Sequence, residues 1–171
     1  MANVELRDIV TEEDRAAALA LRVSPGQEQF VASVEESFLD ADRYPEALAR
    51  YWAVYDGDAI VGFTMLSDGI AEDVLAADPT LVGPYFLWRL LIDRDHQRRG
   101  YGSATLDAVV EYVRSKGGTE LLTSYTAGEG SPGPFYEGYG FVPTDRIVEG
   151  ERVLRLDLTS DRSDGVGTLH P

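Results

Sequence analysis

The sequence predicts a single α/β (α+β) domain, because segments with strand and helix patterns alternate along most of its 171 residues. Strand-forming residues at 51–55 and 60–66 flank a typical hairpin turn at 56–58. Between Leu106 and Val113, apolar side chains recur at i, i+3, i+4 and i+7, the spacing of an amphipathic helix. These patterns place paired strands and a packed helix in the same domain.

The first part of the chain predicts one strand and two helical segments. Apolar residues within 4–10 suggest the strand. Thr11 is a typical N-cap residue, and the three acids after it favour the positive end of a helix that runs to about Arg22. A second helical segment follows the break at 25–26, with three apolar residues on one stripe: Phe30, Val34 and Phe38.

The rest of the chain predicts a central strand and a closing hairpin. The apolar run 84–92 indicates the central strand, and the insertion at 67–83 contains a short helix at about 71–77. The later elements are a strand at 121–125, a short helix around 135–136, and a hairpin of 141–148 and 151–158. We therefore expect one domain over 1–158 and a flexible tail over 159–171.

The composition limits the classes of function. With 15 basic and 30 acidic residues, the net charge is −15. Such a field repels nucleic-acid phosphate and attracts cations, although acidity also serves solubility, so we expect no nucleic-acid partner. No apolar run reaches the ~18 residues of a membrane span, and no secretory signal is visible. The absence of cysteine fits a reducing cytosol, so we expect a cytoplasmic protein without membrane association.

A glycine-containing segment, 97–102, lies between the central strand and the amphipathic helix. Glycine lets a ligand approach the backbone, and the first N–H groups of a helix have no internal partner, so this junction suits an anion such as a diphosphate. The spacing matches neither the Walker A loop nor the dinucleotide fingerprint. Taken alone, the Gly-x-Gly pattern is more often a simple turn.

Two sequence blocks together resemble a known family. Residues 90–102, Leu-Leu-Ile-Asp-Arg-Asp-His-Gln-Arg-Arg-Gly-Tyr-Gly, resemble the acetyl-CoA motif of the GNAT superfamily, Gln/Arg-x-x-Gly-x-Gly/Ala after a bulged strand. Residues 135–141, Phe-Tyr-Glu-Gly-Tyr-Gly-Phe, resemble its Tyr-Glu-x-x-Gly-Phe signature, and 60–63 fit the preceding hairpin. The resemblance covers about residues 4–158. It implies a GNAT-type fold, with a mixed central sheet of about six to seven strands flanked by helices, and acetyl-CoA as co-substrate.

The resemblance implies roles for the matching positions. The backbone of Leu90, Leu91 and Ile92 would pair with the pantetheine arm, and one of its N–H groups would polarise the thioester carbonyl. The diphosphate would lie on the loop and helix start that follow: Gln97, Arg98, Arg99, Gly100, Tyr101, Gly102 and Ser103. No metal ligand is assigned.

Tyr136 matches the family's general acid, which protonates the departing thiolate. With a phenol near ~10 and a thiol near ~8.5, that transfer is unfavourable by only about 1.5 pKa units. The alternative is an aromatic ring that fills the core. The preceding segment, 128–134, departs from the family pattern, with Ser131 as a candidate N-cap and Pro132 in the first turn of a short helix.

A looser resemblance concerns the acceptor. Segments 23–30, 85–93 and 124–125 look like the bacterial diamine, spermine and spermidine acetyltransferase group. The candidate acceptor-binding side chains on or near them are Glu28, Glu35, Glu36, Tyr85, Trp88 and Tyr125. The alternatives are a solvated helix surface for the glutamates and ordinary strand packing for the aromatics.

The leading hypothesis is acetyl transfer from acetyl-CoA to a primary amine of a small cationic molecule, above all a polyamine, by direct attack in a ternary complex. Because such amines titrate near ~10.4, a base must take a proton. His96 lies in the phosphate loop and His170 in the tail, which favours a carboxylate acting through water. The alternatives are an aminoglycoside or other small-amine acetyltransferase, an enzyme for protein amines, and a non-catalytic acyl-CoA-binding module. The sequence does not determine the oligomeric state, although dimers are common among the relatives, so a homodimer stays an option.

Overall fold

In a computed structural model, which describes residues 2–159, seven strands form one mixed sheet in the order β1-β2-β3-β4-β5-β7-β6. The strands are β1 (Glu5–Asp8), β2 (Ala49–Asp56), β3 (Ala59–Asp68), β4 (Tyr85–Ile92), β5 (Glu120–Tyr125), β6 (Val142–Val148) and β7 (Glu151–Asp157). The helices are α1 (Glu12–Leu19), α2 (Val34–Arg43), α3 (Glu72–Ala77), α4 (Tyr101–Ser115) and α5 (Gly133–Tyr139). The predicted α/β class with a mixed sheet and flanking helices is confirmed. The predicted tail lies outside the described residues, except for Thr159.

The first two helices begin where their sequences supply a capping box. The hydroxyl of Thr11 accepts the N–H of Asp14 at 3.0 Å, and the Asp14 carboxylate accepts the N–H of Thr11 at 3.1 Å. Ser33 and Glu36 make the same reciprocal pair at the start of α2. The second helix therefore begins after Phe30, whose N–H instead closes a turn on the carbonyl of Gln27. The prediction that Phe30 lies on the helix stripe is wrong for this reason.

The first helix also ends earlier than predicted, at Leu19 instead of near Arg22. The backbone N–H of Arg22 donates to the Asp93 carboxylate at 3.0 Å, so the chain has already left the helix to meet the end of β4. This contact joins the first helical layer to the loop that follows the central strand.

Helices pack on both faces of the sheet because each central strand buries side chains on both sides. One core cluster joins the apolar side of α4 to one face, and its members include Leu106, Val109, Val113, Leu66, Leu87 and Leu154. The other cluster joins α1 and α2 to the opposite face and includes Ala18, Val34, Phe38, Phe63, Met65 and Leu91. The core therefore holds β4 between two helical layers, since Leu87 belongs to the first cluster and Leu91 to the second.

The parallel pairing of β4 with β5 is short. Only two residue pairs connect these strands, Phe86 with Leu122 and Leu87 with Thr123, although β4 continues to Ile92. At the same point β4 contains a β-bulge: Leu66 of β3 faces Leu87 and Met65 faces Arg89, so Trp88 is the additional residue. A bulge bends its strand and increases the local twist. The edge of β4 from Trp88 onward is therefore left without a ladder to β5.

Among residues 2–159, no helix combines the length and the apolar character that crossing a bilayer requires.

We predict that Gly62→Ala destabilises the protein, because β3 approaches β4 closely at this residue. An added Cβ would lie 2.4 Å from the main-chain oxygen of Leu91 and 2.9 Å from the Ile92 side chain. Relief of this overlap requires movement of a central strand, and we expect a loss of about 1–3 kcal/mol in the free energy of unfolding, measured by urea denaturation.

Gly138→Ala is the matched control, because nothing lies within 4 Å of its added Cβ in α5. In an open helical position the same change stabilises by about 0.5–1 kcal/mol. Equal unfolding midpoints for Gly62→Ala and the wild type would show that the β3–β4 contact tolerates the methyl group.

Candidate active site

A cavity of about 550 Å³ opens beside the edge that β4 leaves without a partner. Residues from α2, β4, β5 and α5 line it, together with the β6–β7 turn and the loop before β4. Six lining residues are carboxylates: Glu28, Glu36, Asp40, Glu46, Glu149 and Glu151. Arg89 is the single basic residue among the described residues of the lining. The cavity therefore carries an excess of negative charge that suits a cationic ligand.

Tyr136 of α5 lines this cavity and is only 7% exposed. Burial raises the pKa of its phenol to about 12; the Glu151 charge acts in the same direction, and the Thr123 hydroxyl opposes it. The group is therefore fully protonated at neutral pH and able to donate a proton. This phenol is therefore a weaker acid than the ordinary phenol, with a pKa near ~10, that the sequence analysis considered.

The short helix α5 is positioned by a glycine. An added Cβ at Gly133 would lie 2.8 Å from the Tyr125 ring, so the helix start packs against β5 closely enough to require glycine. The N-cap of this helix is Pro132, while the hydroxyl of Ser131 accepts the N–H of Gly133 at 3.4 Å. The sequence predicts Ser131 as the N-cap, but the N-cap is the next residue, Pro132.

The glycine loop after β4 leads into α4 with the backbone that the sequence predicted. Gly100 is the N-cap and has a positive φ of 84°. The first helical hydrogen bond runs from the N–H of Ala104 to the Gly100 carbonyl at 3.1 Å, so the amides of Tyr101, Gly102 and Ser103 precede it. Arg98 and Arg99 are exposed beside them. This junction presents amides and guanidinium groups where an anion can bind.

Gln97, the first residue of the predicted phosphate loop, uses its side chain to hold the loop in place. Its amide nitrogen donates to the Ile92 carbonyl at 3.0 Å and to the Gln27 side chain at 2.8 Å. His96 likewise contacts Asp93, 3.3 Å away, and it is absent from the cavity lining.

The phosphate loop and the cavity adjoin through one aromatic contact. The ring of Phe135 lies against Gly102, where an added Cβ would approach it to 3.0 Å. Tyr136, the next residue, lines the cavity. The helix start that suits an anion is therefore next to the phenol that can donate a proton.

The predicted acceptor residues divide into two groups. Glu28, Glu36 and Trp88 line the cavity, whereas Glu35, Tyr85 and Tyr125 are absent from its lining.

The other three side chains lie elsewhere. Side chains of a strand alternate between faces, so Tyr85 lies opposite the cavity-lining Phe86 and packs against Gly118, just after α4. The ring of Tyr125 packs against Gly133 of α5. On α2, Glu36 and Asp40 are four residues apart and share the face toward the cavity, while Glu35 is exposed on another face.

Arg89 and Asp40 form an ion pair at the cavity wall that the sequence did not reveal. Their Nη2 and Oδ2 atoms are 2.8 Å apart, and the side chains are 18% and 23% exposed. Nη1 of Arg89 also donates to the Trp88 carbonyl at 3.0 Å. Burial lowers the pKa of Arg89, and the surrounding carboxylates Asp40, Glu151 and Glu36 oppose that change. The pair links α2 to the bulge of β4.

Glu151 is a second functional candidate that sequence analysis did not identify. It is the first residue of β7, and its two carboxylate oxygens accept the hydroxyls of Ser124 at 2.9 Å and Thr126 at 3.2 Å. Its position directly after the turn Glu149-Gly150 gave no sign of this contact. Pairing of β5 with β7, which sets Tyr125 opposite Arg152, brings it to the cavity.

The insertion at 67–83 supplies one wall of the cavity. Thr80, Leu81 and Val82 line it. The guanidinium of Arg146 on β6 donates to the carbonyls of Leu81 at 3.1 Å and Val82 at 2.5 Å. This side chain therefore ties the insertion to the far edge of the sheet.

Comparison with known proteins identifies relatives of this chain by sequence and by fold. The family described as Acetyltransferase (GNAT) domain matches residues 47–143, more than half of the chain. The "Probable spermine N(1)-acetyltransferase" of Bacillus subtilis subsp. natto (strain BEST195) is 31% identical over 106 residues, which is 61% of this chain. The match spans 64% of that relative, less than two thirds of its length.

Solved structures share the fold at low sequence identity. An acetyltransferase from Thermus thermophilus has a TM-score of 0.63 and 21% identity, covering 91% of this chain and 97% of its own. The PaiA N-acetyltransferase from Thermoplasma acidophilum, solved in complex with coenzyme A, has a TM-score of 0.60 and 14% identity, covering 91% and 99%.

Proposed function

The chain belongs to the GNAT acetyltransferase family, and on that basis we propose that it transfers the acetyl group of acetyl-CoA to a primary amine of a polyamine. The observation that carries the choice of acceptor is the cavity, where six carboxylates and one arginine surround the entrance to Tyr136. A polyamine keeps positive charge away from its reacting nitrogen, and those charges are attracted to this wall. The name of the Bacillus subtilis relative supports the same acceptor class.

The donor would lie along the β4 edge and the loop after it. Beyond Leu87 the strand has no ladder to β5, and the backbone of Leu90, Leu91 and Ile92 would pair with the amides of pantetheine as an added strand does. The diphosphate would then meet the α4 amides from Tyr101 to Ser103 and the exposed charges before them. Coenzyme A supplies the activated acetyl group, and the protein binds and orients it.

The acceptor amine would attack the thioester carbonyl beside Tyr136. The amine nitrogen forms a bond to the carbonyl carbon, the carbon–sulfur bond breaks, and the phenol donates its proton to the departing thiolate. With a phenol pKa of about 12 and a thiol near ~8.5, this proton transfer is unfavourable by roughly 5 kcal/mol. Turnover at ~10 per second corresponds to a barrier of roughly 16 kcal/mol, so the step fits within it.

Trp88 supplies an apolar surface within the same acidic cavity. Its ring lies next to Tyr44, with centroids 6.4 Å apart, and both residues line the wall. Methylene segments of an alkylamine can pack on such rings, and ammonium groups can bind over their faces. The alternation of apolar and charged groups in a polyamine matches this mixed wall.

An acceptor panel at fixed acetyl-CoA tests the proposal. We expect release of coenzyme A thiol with spermidine, spermine or diamines, at a kcat/KM at least about tenfold above that for aminoglycosides or peptides, since a tenfold preference needs only 1.4 kcal/mol. Preference for aminoglycosides or peptides would reject the polyamine assignment, and binding of acetyl-CoA without turnover of any amine would support a non-catalytic module.

Tyr136→Phe is expected to lower kcat by about 10²- to 10⁴-fold, because it removes the proton donor while it keeps the ring. Affinity for acetyl-CoA, measured by calorimetry, should stay unchanged. Since burial raises the Tyr136 pKa to about 12, its acidic form persists as pH rises, and the wild-type rate should show no Tyr136-dependent decline below about pH 11.

Tyr139→Phe is the control on the same helix, because its hydroxyl donates to Asp107 at 2.6 Å and its ring is absent from the cavity lining. The general-acid assignment is wrong if Tyr136→Phe and Tyr139→Phe turn over at the same rate.

Gly100→Ala is expected to weaken coenzyme A binding about tenfold or more, a loss of at least 1.4 kcal/mol. A side chain at φ 84° is strained by about 1–2 kcal/mol, and relief of that strain moves the amides that would hold the diphosphate. The measurement is calorimetric titration with coenzyme A.

Gly117→Ala has the same left-handed backbone, φ 85°, at the opposite end of α4, with nothing within 4 Å of the added Cβ. It should lose similar stability and keep its coenzyme affinity. Equal affinities for the two variants would remove the loop from the diphosphate site.

A further inference from the structure

The six carboxylates of the cavity differ in how deeply they lie. Glu28, Glu36, Glu46 and Glu149 are exposed, whereas Asp40 and Glu151 are half-buried. An exposed carboxylate suits the attraction of a distant ammonium group. A base for the reacting nitrogen must lie within hydrogen-bond reach of it, or within reach of one intervening water, and therefore inside the cavity.

Only one of the two half-buried carboxylates, Glu151, has no ion-pair partner within 4 Å among residues 2–159. Arg89 neutralises Asp40 across 2.8 Å. Glu151 is instead held by the hydroxyls of Ser124 and Thr126, one on each oxygen. Since a carboxylate oxygen has two lone pairs, each retains one site for a further donor.

Glu151 also lies close to the proton donor of the proposed reaction. Both line one cavity, and Thr123, whose hydroxyl is beside the phenol, precedes Ser124 on β5. The Glu151 charge acts on the ionisation of both Tyr136 and Arg89. A nitrogen that attacks a thioester beside Tyr136 is thus within the field of Glu151.

We propose that Glu151 is the general base that takes, through one water molecule, the proton that the acceptor ammonium must lose. This role rests on the proposed function, since it requires an amine acceptor. The water passes its proton to the carboxylate and receives one from the nitrogen, leaving a neutral amine. The amine nitrogen bonds to the carbonyl carbon, the carbon–sulfur bond breaks, and the departing thiolate takes the proton of Tyr136. The second proton released from nitrogen then returns to the Tyr136 oxygen and restores the phenol. The proton on Glu151 then returns to solvent, so the sum is one amide, one thiol and one released proton.

Other charged and titratable groups line the cavity with this carboxylate or flank it in the chain. They are Glu36 and Asp40 from α2, Arg89 from β4, Tyr136 from α5, and Glu149 and Arg152 from its own turn and strand. Arg152 donates to the Thr144 carbonyl at 2.7 Å, and Arg89 pairs with Asp40. A test must therefore separate loss of the base from loss of a negative charge.

The test is Glu151→Gln, which keeps the size of the side chain and an acceptor oxygen for a neighbouring hydroxyl. It uses the primary amine that the wild type acetylates best. At pH 7 we expect kcat to fall about 10²-fold or more, the lower end of general-base contributions, with unchanged affinity for acetyl-CoA. The defect should shrink as pH approaches ~10.4, where the free amine no longer needs a base. An acceptor analogue with fluorine beside its amine, neutral at pH 7, should react equally well with both proteins.

Glu149→Gln is the matched control, because it removes the same charge from the same turn at the exposed rim. We expect it to raise KM for the cationic acceptor and to leave the shape of the pH profile unchanged. A wild-type kcat for Glu151→Gln at pH 7, or an equal loss on the neutral analogue and at high pH, would overturn the base assignment while the acetyltransferase proposal stands. If the wild type acetylated no amine at all, the proposed function itself would fail.

Discussion

The parallel ladder between β4 and β5 ends after two residue pairs, and the location of each candidate group follows from that early separation. The bulge at Trp88 coincides with the end of the pairing, so the strand changes direction where its partner is lost. Helices pack on both sides of β4, with α4 on one side and α1 and α2 on the other. The unpaired edge, the glycine loop and the α5 phenol are therefore assembled around one gap in the sheet.

Charge in the cavity is graded from the rim inward. Exposed glutamates surround the entrance, while the inner pair of Asp40 and Arg89 is nearly neutral. Repulsion between inner carboxylates is limited because the arginine compensates one of them and hydroxyl groups hold the other. Such an arrangement would attract cations over the whole cavity and still leave one inner carboxylate for the proton exchange that we propose.

The sequence predicted the order of elements, the loop after β4 and the position of Tyr136, because local signals determine them. Hairpin turns, capping residues and the glycine pattern all act over a few residues. It did not indicate that Tyr85 and Tyr125 pack against glycines outside the cavity lining, or that one step along α2 turns Glu35 away from the face of Glu36. Asp40 could have been found from its i, i+4 spacing to the predicted Glu36.

Contacts between distant segments produced the features that the sequence did not predict. Arg89 meets Asp40 from 49 residues away, and Ser124 meets Glu151 from 27 residues away. Neither separation leaves a periodic pattern in the chain. Burial of Tyr136 likewise depends on how α5 packs against β5, so its raised pKa became visible only in the folded protein.

The tie between Arg146 and the insertion has a consequence for how acceptor choice can diverge in evolution. The guanidinium holds main-chain carbonyls of residues 81 and 82, and a carbonyl is present whatever side chain the residue carries. Substitutions along this wall can therefore alter the shape and polarity offered to an incoming molecule while the anchor persists. Donor recognition, which we propose for the central gap between β4 and β5, would be insulated from such drift.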